Sequence, residues 1–526
     1  MKQHTSLRLR RATAALAALA ASALALSGCG GSAGSPGGTS GAGSGQVLTV
    51  SNTFAPISMD PALSGNGRAG TMLQPAYEPL VRTGADGKLE PALAESWNVA
   101  PDNMSVTFKL RDNAKFSDGE PVTAEAAKKS IEYWVSKKGP FAVNLATLES
   151  VTVNGEFEFT VKVSAPNPDL ASIFNTYWLA GDLISPKALA TPDVLGTETH
   201  GAGPYVLDTG ATITGKSYTY LPNKNYYDPT KIHWDKVVIS VYEDQNSAVQ
   251  AFKAGQLKVM VSDPITANAN KAGLAQGARI VSDPVQWTGL IINDRTGEVN
   301  KPLGDVKVRQ AINYGIDRSL VTQALFGDFG TPTSQLQVKG FTGYDETNDK
   351  KYPYDPEKAK ALLAEAGYPG GITIDVGYVK NTLNSTQAQA IAGQLEKIGV
   401  KLNITEVQNF GELNTRMAQK KFGAIIAQSN SGTPFMAKFQ TLDPNGSYNY
   451  YHSQDPELTA LINAAAAKPA ADSEEAWKKV QGRVADLAWF AMTSALNVSY
   501  FVAQGVDVPQ PGQSLIIDMA LVKPAT

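Results

Sequence analysis

The chain has 526 residues, 43% hydrophobic and 18% charged, with a formal net charge of −3. Its first 29 residues carry Lys2, Arg8, Arg10 and Arg11 and no acid, which leaves 42 basic side chains (46 less 4) against 49 acidic ones, a balance of −7 that disfavours nucleic acid and anionic lipid as partners. A single cysteine allows no internal disulfide and no thiolate metal site, so core burial must hold the fold, and the roughly 480 residues of the body exceed what one core supports, which predicts at least two lobes.

Residues 1–29 join those basic side chains to an apolar run over 14–26, too short and alanine-rich to span a bilayer, and end in Leu26-Ser27-Gly28-Cys29. This is the pattern of an export signal, and its end resembles a bacterial lipobox, which implies cleavage before Cys29 and lipidation of its thiol. Residues 30–45 are almost wholly Gly, Ser, Ala and Thr. Such a tether is flexible and holds the body roughly 20–24 Å from its lipid. No later apolar run is long enough to cross a bilayer. The body is therefore expected at the extracytoplasmic face of a bacterial cell membrane, attached through its lipid anchor alone.

After the tether, 46–51 reads as a strand and 56–66 as an irregular loop. Gly65-Asn66-Gly67-Arg68-Ala69-Gly70 matches G-x-G-x-x-G, but a dinucleotide site needs a strand running straight into the glycines inside a βαβ unit. A Pro-containing loop precedes them here, so a glycine-rich lead into a helix ending near Tyr77 is expected, whose backbone N–H groups can still meet a ligand. The stretch 88–134 has the clearest order. It predicts a short helix with Leu93 and Trp97 on one side, a strand alternating Val106, Phe108 and Leu110, and an Asp118-Gly119 turn. A helix follows, opened by Thr123 and carrying Ala127, Ile131 and Trp134 at i, i+4 and i+7. Residues 151–161 predict a hairpin in which Val153 faces Phe157 and Val151 faces Phe159, which requires a three-residue loop or a bulge at Asn154-Gly155.

Farther on, a helix over 244–255 turns Val249 and Phe252 inward and stops at Gly255. Residues 285–293, containing Trp287, and 496–503 read as strands that cross between lobes. Aspartates cap successive helices over 305–315 and 317–326. Residues 355–367 predict a helix with Pro in its first turn and an inward stripe of Ala359, Leu362, Leu363 and Ala366. Strands over 372–378, 400–407 and 422–428, alternating with helices over 385–399 and 410–421, give βαβαβ and hence a parallel sheet with right-handed crossovers.

The order of pieces in 88–134 resembles P-x-L-A-x-S-W, then T-F-x-L-R, then F-x-D-G-x-P-x-T-A, the signature of the family 5 extracellular solute-binding proteins, the peptide, nickel and oligosaccharide receptors of ABC importers. His200-Gly-Ala-Gly-Pro-Tyr205 and Asn225-Tyr-Tyr are similar to that family's G-T-G-P-Y and N-x-x-Y-Y, with Ala202 in place of the threonine. The run DVKVRQAINYGIDRSLV from Asp305 is close to D-x-R-V-R-x-A-I-x-x-A-I-D-R, whereas Lys258 stands where the family usually carries an aspartate. The resemblance implies an α/β, two-lobed, periplasmic-binding-protein-like fold of type II, of the larger kind with an inserted domain. On that reading lobe I takes 46–80, 200–286 and 497–520, the inserted domain 81–199 and lobe II 287–496. The hinge is two crossing segments, near Trp287 and near Asn497.

Residue spacing gives little support to catalysis. Gly30-Gly31-Ser32-Ala33-Gly34 satisfies G-x-S-x-G, but a nucleophile elbow needs a strained strand-to-helix turn and this lies in the tether. His200, His233 and His452 each stand alone in their segments, which disfavours a histidine metal site. Glu156/Glu158 and Glu474/Glu475 read as solvated faces rather than an acid–base pair. A secreted lipoprotein hydrolase would need a nucleophile, base and orienter that the spacing does not supply, so no enzyme, no cofactor and no metal are expected.

Binding remains. Loops at the carboxyl ends of strands reach the cleft between lobes. Three stretches qualify: Ser64 and Asn66 after the first strand, Trp287 at a crossing, and Ser429, Asn430 and Ser431 directly after the 422–428 strand. Each has a plainer alternative, turn formation for Ser64 and Asn66 and core packing for Trp287. In peptide-binding relatives the last loop resembles W-x-x-D-Y, its aspartate holding an ammonium group. Here Ser429 to Thr433 is neutral, and a buried ammonium without a counter-charge costs several kcal/mol. Either a charge comes from elsewhere, such as Asp443, or the solute presents no free amine there. The expected function is capture of a small solute by a monomeric lipoprotein that delivers it to an ABC permease and its ATPase. An oligopeptide or dipeptide is the first choice, and an oligosaccharide, opine or metal chelate the second.

Overall fold

The computed structural model describes residues 46–64 and 70–525. Cys29, the tether and Asn66 lie outside the described residues. One large sheet runs through the body. In spatial order its strands are Val400–Val407, Ile372–Val379, Ala424–Asn430, Arg279–Ile292, Phe490–Val502, Val259–Ser262, Val47–Asn52, Lys236–Val241, Ser217–Pro222 and Tyr205–Leu207. Gly330–Pro332 pairs with Phe490–Val502 off this path.

At each end of the sheet buried apolar positions alternate with exposed or half-buried ones, so one face carries the core. Ile372–Val379 lies parallel to Val400–Val407 and to Ala424–Asn430, with the helices Thr382–Glu396 and Phe410–Ala418 in the connections, so the expected βαβαβ unit is present. Ile374, Val376, Val400 and Ile426 pack there against Val308, Ile312, Leu363 and Ile391 of the covering helices. At the other end Val47–Asn52 lies parallel to Lys236–Val241, burying Leu48, Val50, Val237 and Ile239.

Between these ends, Arg279–Ile292 and Phe490–Val502 pair antiparallel along almost their whole lengths. They contain the strands expected near Trp287 and Asn497, but each begins about six residues earlier than the apolar pattern suggests. For the first, Pro284 reads as a strand end, and the structure accommodates it at a register shift between Pro284 and Gln286, where no ladder donor is required. For the second, 490–496 are buried on both faces and so carry no alternation.

Helix starts follow their caps. Thr123 Oγ1 accepts the Ala126 N–H at 3.2 Å at the head of Ala124–Ser136, and Asp244, Asp305, Asp317 and Asp355 cap the helices that follow them. The expected helix through Leu93 and Trp97 is absent. Ala94–Val99 is a strand in a separate four-stranded antiparallel sheet with Ser105–Leu110, Glu158–Val163 and Leu148–Gly155. A spacing of four puts two side chains on one face of a strand as readily as of a helix, and pairing with the Val106–Phe108–Leu110 strand decides for the strand. In the hairpin the expected bulge is present, between Val153 and Gly155, but Val153 faces Phe159 and Val151 faces Val161. The bulge leaves Glu156-Phe157 as a two-residue turn and keeps Val151, Phe159 and Val161 in the core.

The small sheet and the helices of 434–487 share one buried apolar cluster, in which Phe108, Phe159 and Phe174 join Phe435, Trp477 and Val480. Asn103 fastens the two, its amide donating to the carbonyls of Ala466 and Lys468 at 3.1 and 3.0 Å.

Candidate binding site

A cavity of about 420 Å³ opens where three parts of the chain meet: 83–99 with 168–178, the turn after Ala424–Asn430 with Phe341, and 513–515. Its walls are aromatic and uncharged for the most part. Trp97, Tyr177, Trp178, Phe341 and Trp477 supply rings, and Asn175, Asn430, Thr433 and Ser473 supply polar groups.

The 168–178 wall is built by asparagine turns. Asn167 Oδ1 accepts the Asp169 N–H at 3.0 Å, and a short 3₁₀ turn, Leu170–Phe174, sends Leu170, Ile173 and Phe174 into the core. Asn175 Oδ1 then accepts the N–H groups of Tyr177 and Trp178 at 3.0 and 3.3 Å. This aims the two rings, which meet edge to face at 4.7 Å, with Phe141 against Trp178 at 5.6 Å. Leu179 follows in the left-handed region at φ +64°, a conformation that costs a leucine about 1–2 kcal/mol and that its full burial enforces.

The opposite wall differs from the sequence expectation. Pairing with Arg279–Ile292 extends the strand to Asn430, so Ser429 and Asn430 lie opposite Trp287 and Gln286 and the loop begins at Ser431. Successive strand residues point to opposite faces. Asn430 lines the cavity, where its Oδ1 is buried without a hydrogen-bond partner among the described residues. Ser429 instead donates to Gln440 Oε1 at 2.8 Å. Ser431 is fully buried: its N–H donates to the Val285 carbonyl, and its hydroxyl donates to Gln337 Oε1 at 2.8 Å and accepts the Val338 N–H at 3.0 Å. That anchorage turns the chain at Gly432, φ +56°, and presents Gly432 and Thr433 to the cavity.

Of the other expected contacts, Trp287 is 1% exposed and packs edge to face on Tyr448 at 6.1 Å, outside the cavity wall. Ser64 is equally buried, its N–H donating to the Asp60 carbonyl at 2.9 Å, and it too lies outside the wall. Asp443 does not line the cavity; it lies near Lys438, whose ammonium burial holds below its ordinary pKa while Asp443 opposes that shift, and which sits over the rings of Phe435 and Phe439 at 4.6 and 4.5 Å. Two charged residues do line it, Lys88 and Asp169. Lys88 stands at the rim, largely solvated, with its ammonium 3.0 Å from Asp86. Sequence reasoning passed over Asp169 and the rings at 97, 177, 178 and 477. For Tyr177 and Trp178 the signal was faint, two adjacent aromatics after an asparagine in a segment with no regular period, whereas Trp97 and Trp477 lie in a strand and a helix where a ring reads as core.

Among the described residues no group of three His, Cys, Asp or Glu side chains is placed to hold a metal. A second hollow, of about 470 Å³, lies beside the helix Gln245–Lys253, but one helix and its flanks make all its walls, so it is relief on a surface rather than a cleft.

The chain matches the model for bacterial extracellular solute-binding proteins, family 5 (middle), over residues 88–450. It is 28% identical over 468 residues to heme-binding protein A of Haemophilus influenzae, covering 79% of this chain and 82% of that one. It is 27% identical over 367 residues to the glutathione-binding protein GsiB of Shigella flexneri, covering 68% and 69%. The periplasmic binding protein DppA of Helicobacter pylori, solved in complex with the peptide STSA, superposes with a TM-score of 0.76 over 91% of this chain and 98% of that one, at 20% identity. This likeness fixes the fold class as the two-lobed, periplasmic-binding-protein-like α/β fold.

Proposed function

The chain belongs to the bacterial extracellular solute-binding proteins of family 5, the substrate-binding components of ABC importers, and from that premise we propose that its solute is an oligopeptide or dipeptide held in the aromatic cavity. One observation carries the choice of site: a cavity of about 420 Å³, of a size that encloses a small solute, with Asn430 at the end of a sheet strand on one wall and a row of rings on the other. Asparagine amides suit the alternating donors and acceptors of a peptide backbone, and rings suit its side chains. The relatives whose printed ligands are glutathione and the peptide STSA support this reading. Its neutral strand end favours a second one, an oligosaccharide stacked on Trp97 and Trp178.

Solute drives closure only to the extent that it binds the closed form better than the open one. The flexing elements on this reading are the two crossing strands, where register shifts at Pro284/Gln286 and Thr288/Gly289 interrupt the ladder. The working form is a monomer moored outside the cytoplasm by lipid on Cys29 and serving a membrane permease. Mass spectrometry of solute co-purified with the protein, followed by melting with dipeptides to pentapeptides and with sugars, tests the solute. At a hundredfold excess over Kd a true ligand adds about 2.7 kcal/mol of stability. A gain with peptides and none with sugars is expected; the reverse establishes the oligosaccharide.

A further inference from the structure

We propose that Asn430 is a specificity-determining residue that selects solutes whose amino terminus is masked as an amide, in an N-acylated or cyclised peptide, over those that carry a free ammonium group. The inference rests on the peptide reading and narrows it. Asn430 ends the strand Ala424–Asn430, where pairing opposite Gln286 sets its backbone, and its side chain lines the cavity. The next residue, Ser431, is tied by its N–H to the Val285 carbonyl and by its hydroxyl to Gln337 Oε1 and the Val338 N–H. The carboxamide is therefore presented from a backbone held on both sides. Its Oδ1 is buried without a hydrogen-bond partner among the described residues, and an acceptor left unmet in this way is costly. A solute N–H removes that cost.

The two forms of a peptide's amino end differ in what they ask of that wall. An ammonium offers three donors and no acceptor, and in a cavity walled by rings it keeps its charge cheaply only beside a carboxylate. Asp169, the one carboxylate among the described residues lining the cavity, already has an interaction partner within the protein. Lys88, the one cation among them, stands at the rim beside Asp86 and has the wrong sign. A secondary amide asks for less. It offers one N–H and one carbonyl, the complement of the acceptor and donor on a carboxamide, and brings no charge to be desolvated. An acyl group beyond it is apolar and packs on rings, and Trp97, Trp178, Phe341 and Trp477 line the same cavity.

The test uses the full chain in detergent, with an equimolar tripeptide library offered in two forms, free and N-acetylated, and retention read by equilibrium dialysis and mass spectrometry. Wild type is expected to retain the acetylated form about tenfold or more over the free one. Asn430→Asp, which puts a carboxylate on the wall, reverses that preference. Asn430→Ala cuts retention of acetylated peptides about fivefold but spares those headed by proline, whose capped nitrogen has no hydrogen to donate. Unliganded melting curves confirm folding of the variants, and either variant alone decides the matter. Equal retention of the two forms by wild type, a preference for the free form, or retention unchanged by both substitutions overturns the role of Asn430 and leaves the peptide reading standing. Retention of neither form by wild type overturns both.

Discussion

Asp182 shows how one side chain can set a pH dependence. It is 2% exposed, and neither carboxylate oxygen has a hydrogen-bond partner among the described residues, so burial pushes its pKa well above the ordinary carboxylate range. A carboxyl raised in this way holds a proton in the folded protein at pH values where the unfolded chain has released it. Its contribution to stability is therefore greatest in acid and is lost as pH rises from about 4 toward the folded pKa, by at most about 1.4 kcal/mol per pH unit. Asp182→Asn removes that proton uptake. The variant is expected to melt above wild type at neutral pH and close to it near about pH 4, as thermal melts across that range will show. Little of this was legible beforehand. Asp169, Asp182 and Asp443 all stand in irregular stretches, and only the fold distinguishes a cavity wall from a buried pocket and from the neighbourhood of Lys438. Ser429, Asn430 and Ser431 were found as a group from their place after an apolar strand, but which of the three faces the cavity depends on where the strand ends.

Secondary-structure elements were more legible wherever a cap and a period agreed. Asp355, Pro356 and the stripe through Ala359 and Leu363 specify one helix and nothing else, and the structure has it at Pro356–Glu365. The failure at Ala94–Val99 came from a four-residue spacing that two kinds of element satisfy. The two long central strands depend on features that carry no period. Thr288 donates to Gln387 Oε1 at 2.5 Å, Gln387 Nε2 to Thr493 Oγ1 at 2.7 Å, and Thr493 to the Thr288 carbonyl at 3.2 Å, a closed polar circuit between two strands and a helix. Next to it a Cβ on Gly289 would lie 2.5 Å from Met492 Cα and 2.6 Å from the Ala491 carbonyl oxygen, both backbone atoms that cannot swing aside. Gly289→Ala is expected to cost about 1–3 kcal/mol through forced separation of the strands. Urea unfolding should show a lower midpoint at an unchanged slope.

At the scale of the whole chain, length and the lone cysteine point to a large body held by burial, and the pattern of residues 1–29 is the one expected of an export signal. Family 5 proteins work outside the cytoplasm, and Cys29 is the expected point of attachment. Cys29→Ala is expected to move the protein from the membrane fraction to the soluble fraction with solute retention intact, as fractionation and dialysis will show. Strand order could not be read in advance, because the pairing that organises the sheet joins segments roughly two hundred residues apart. Phe490–Val502 borders both Val259–Ser262 and Arg279–Ile292, so one strand, roughly two hundred residues after its partners, unites the two ends of the sheet. Without it, those strands have no neighbour on that side and the sheet has no middle. A keystone of this kind ties the two halves together, so the body is expected to give way as one when it slips.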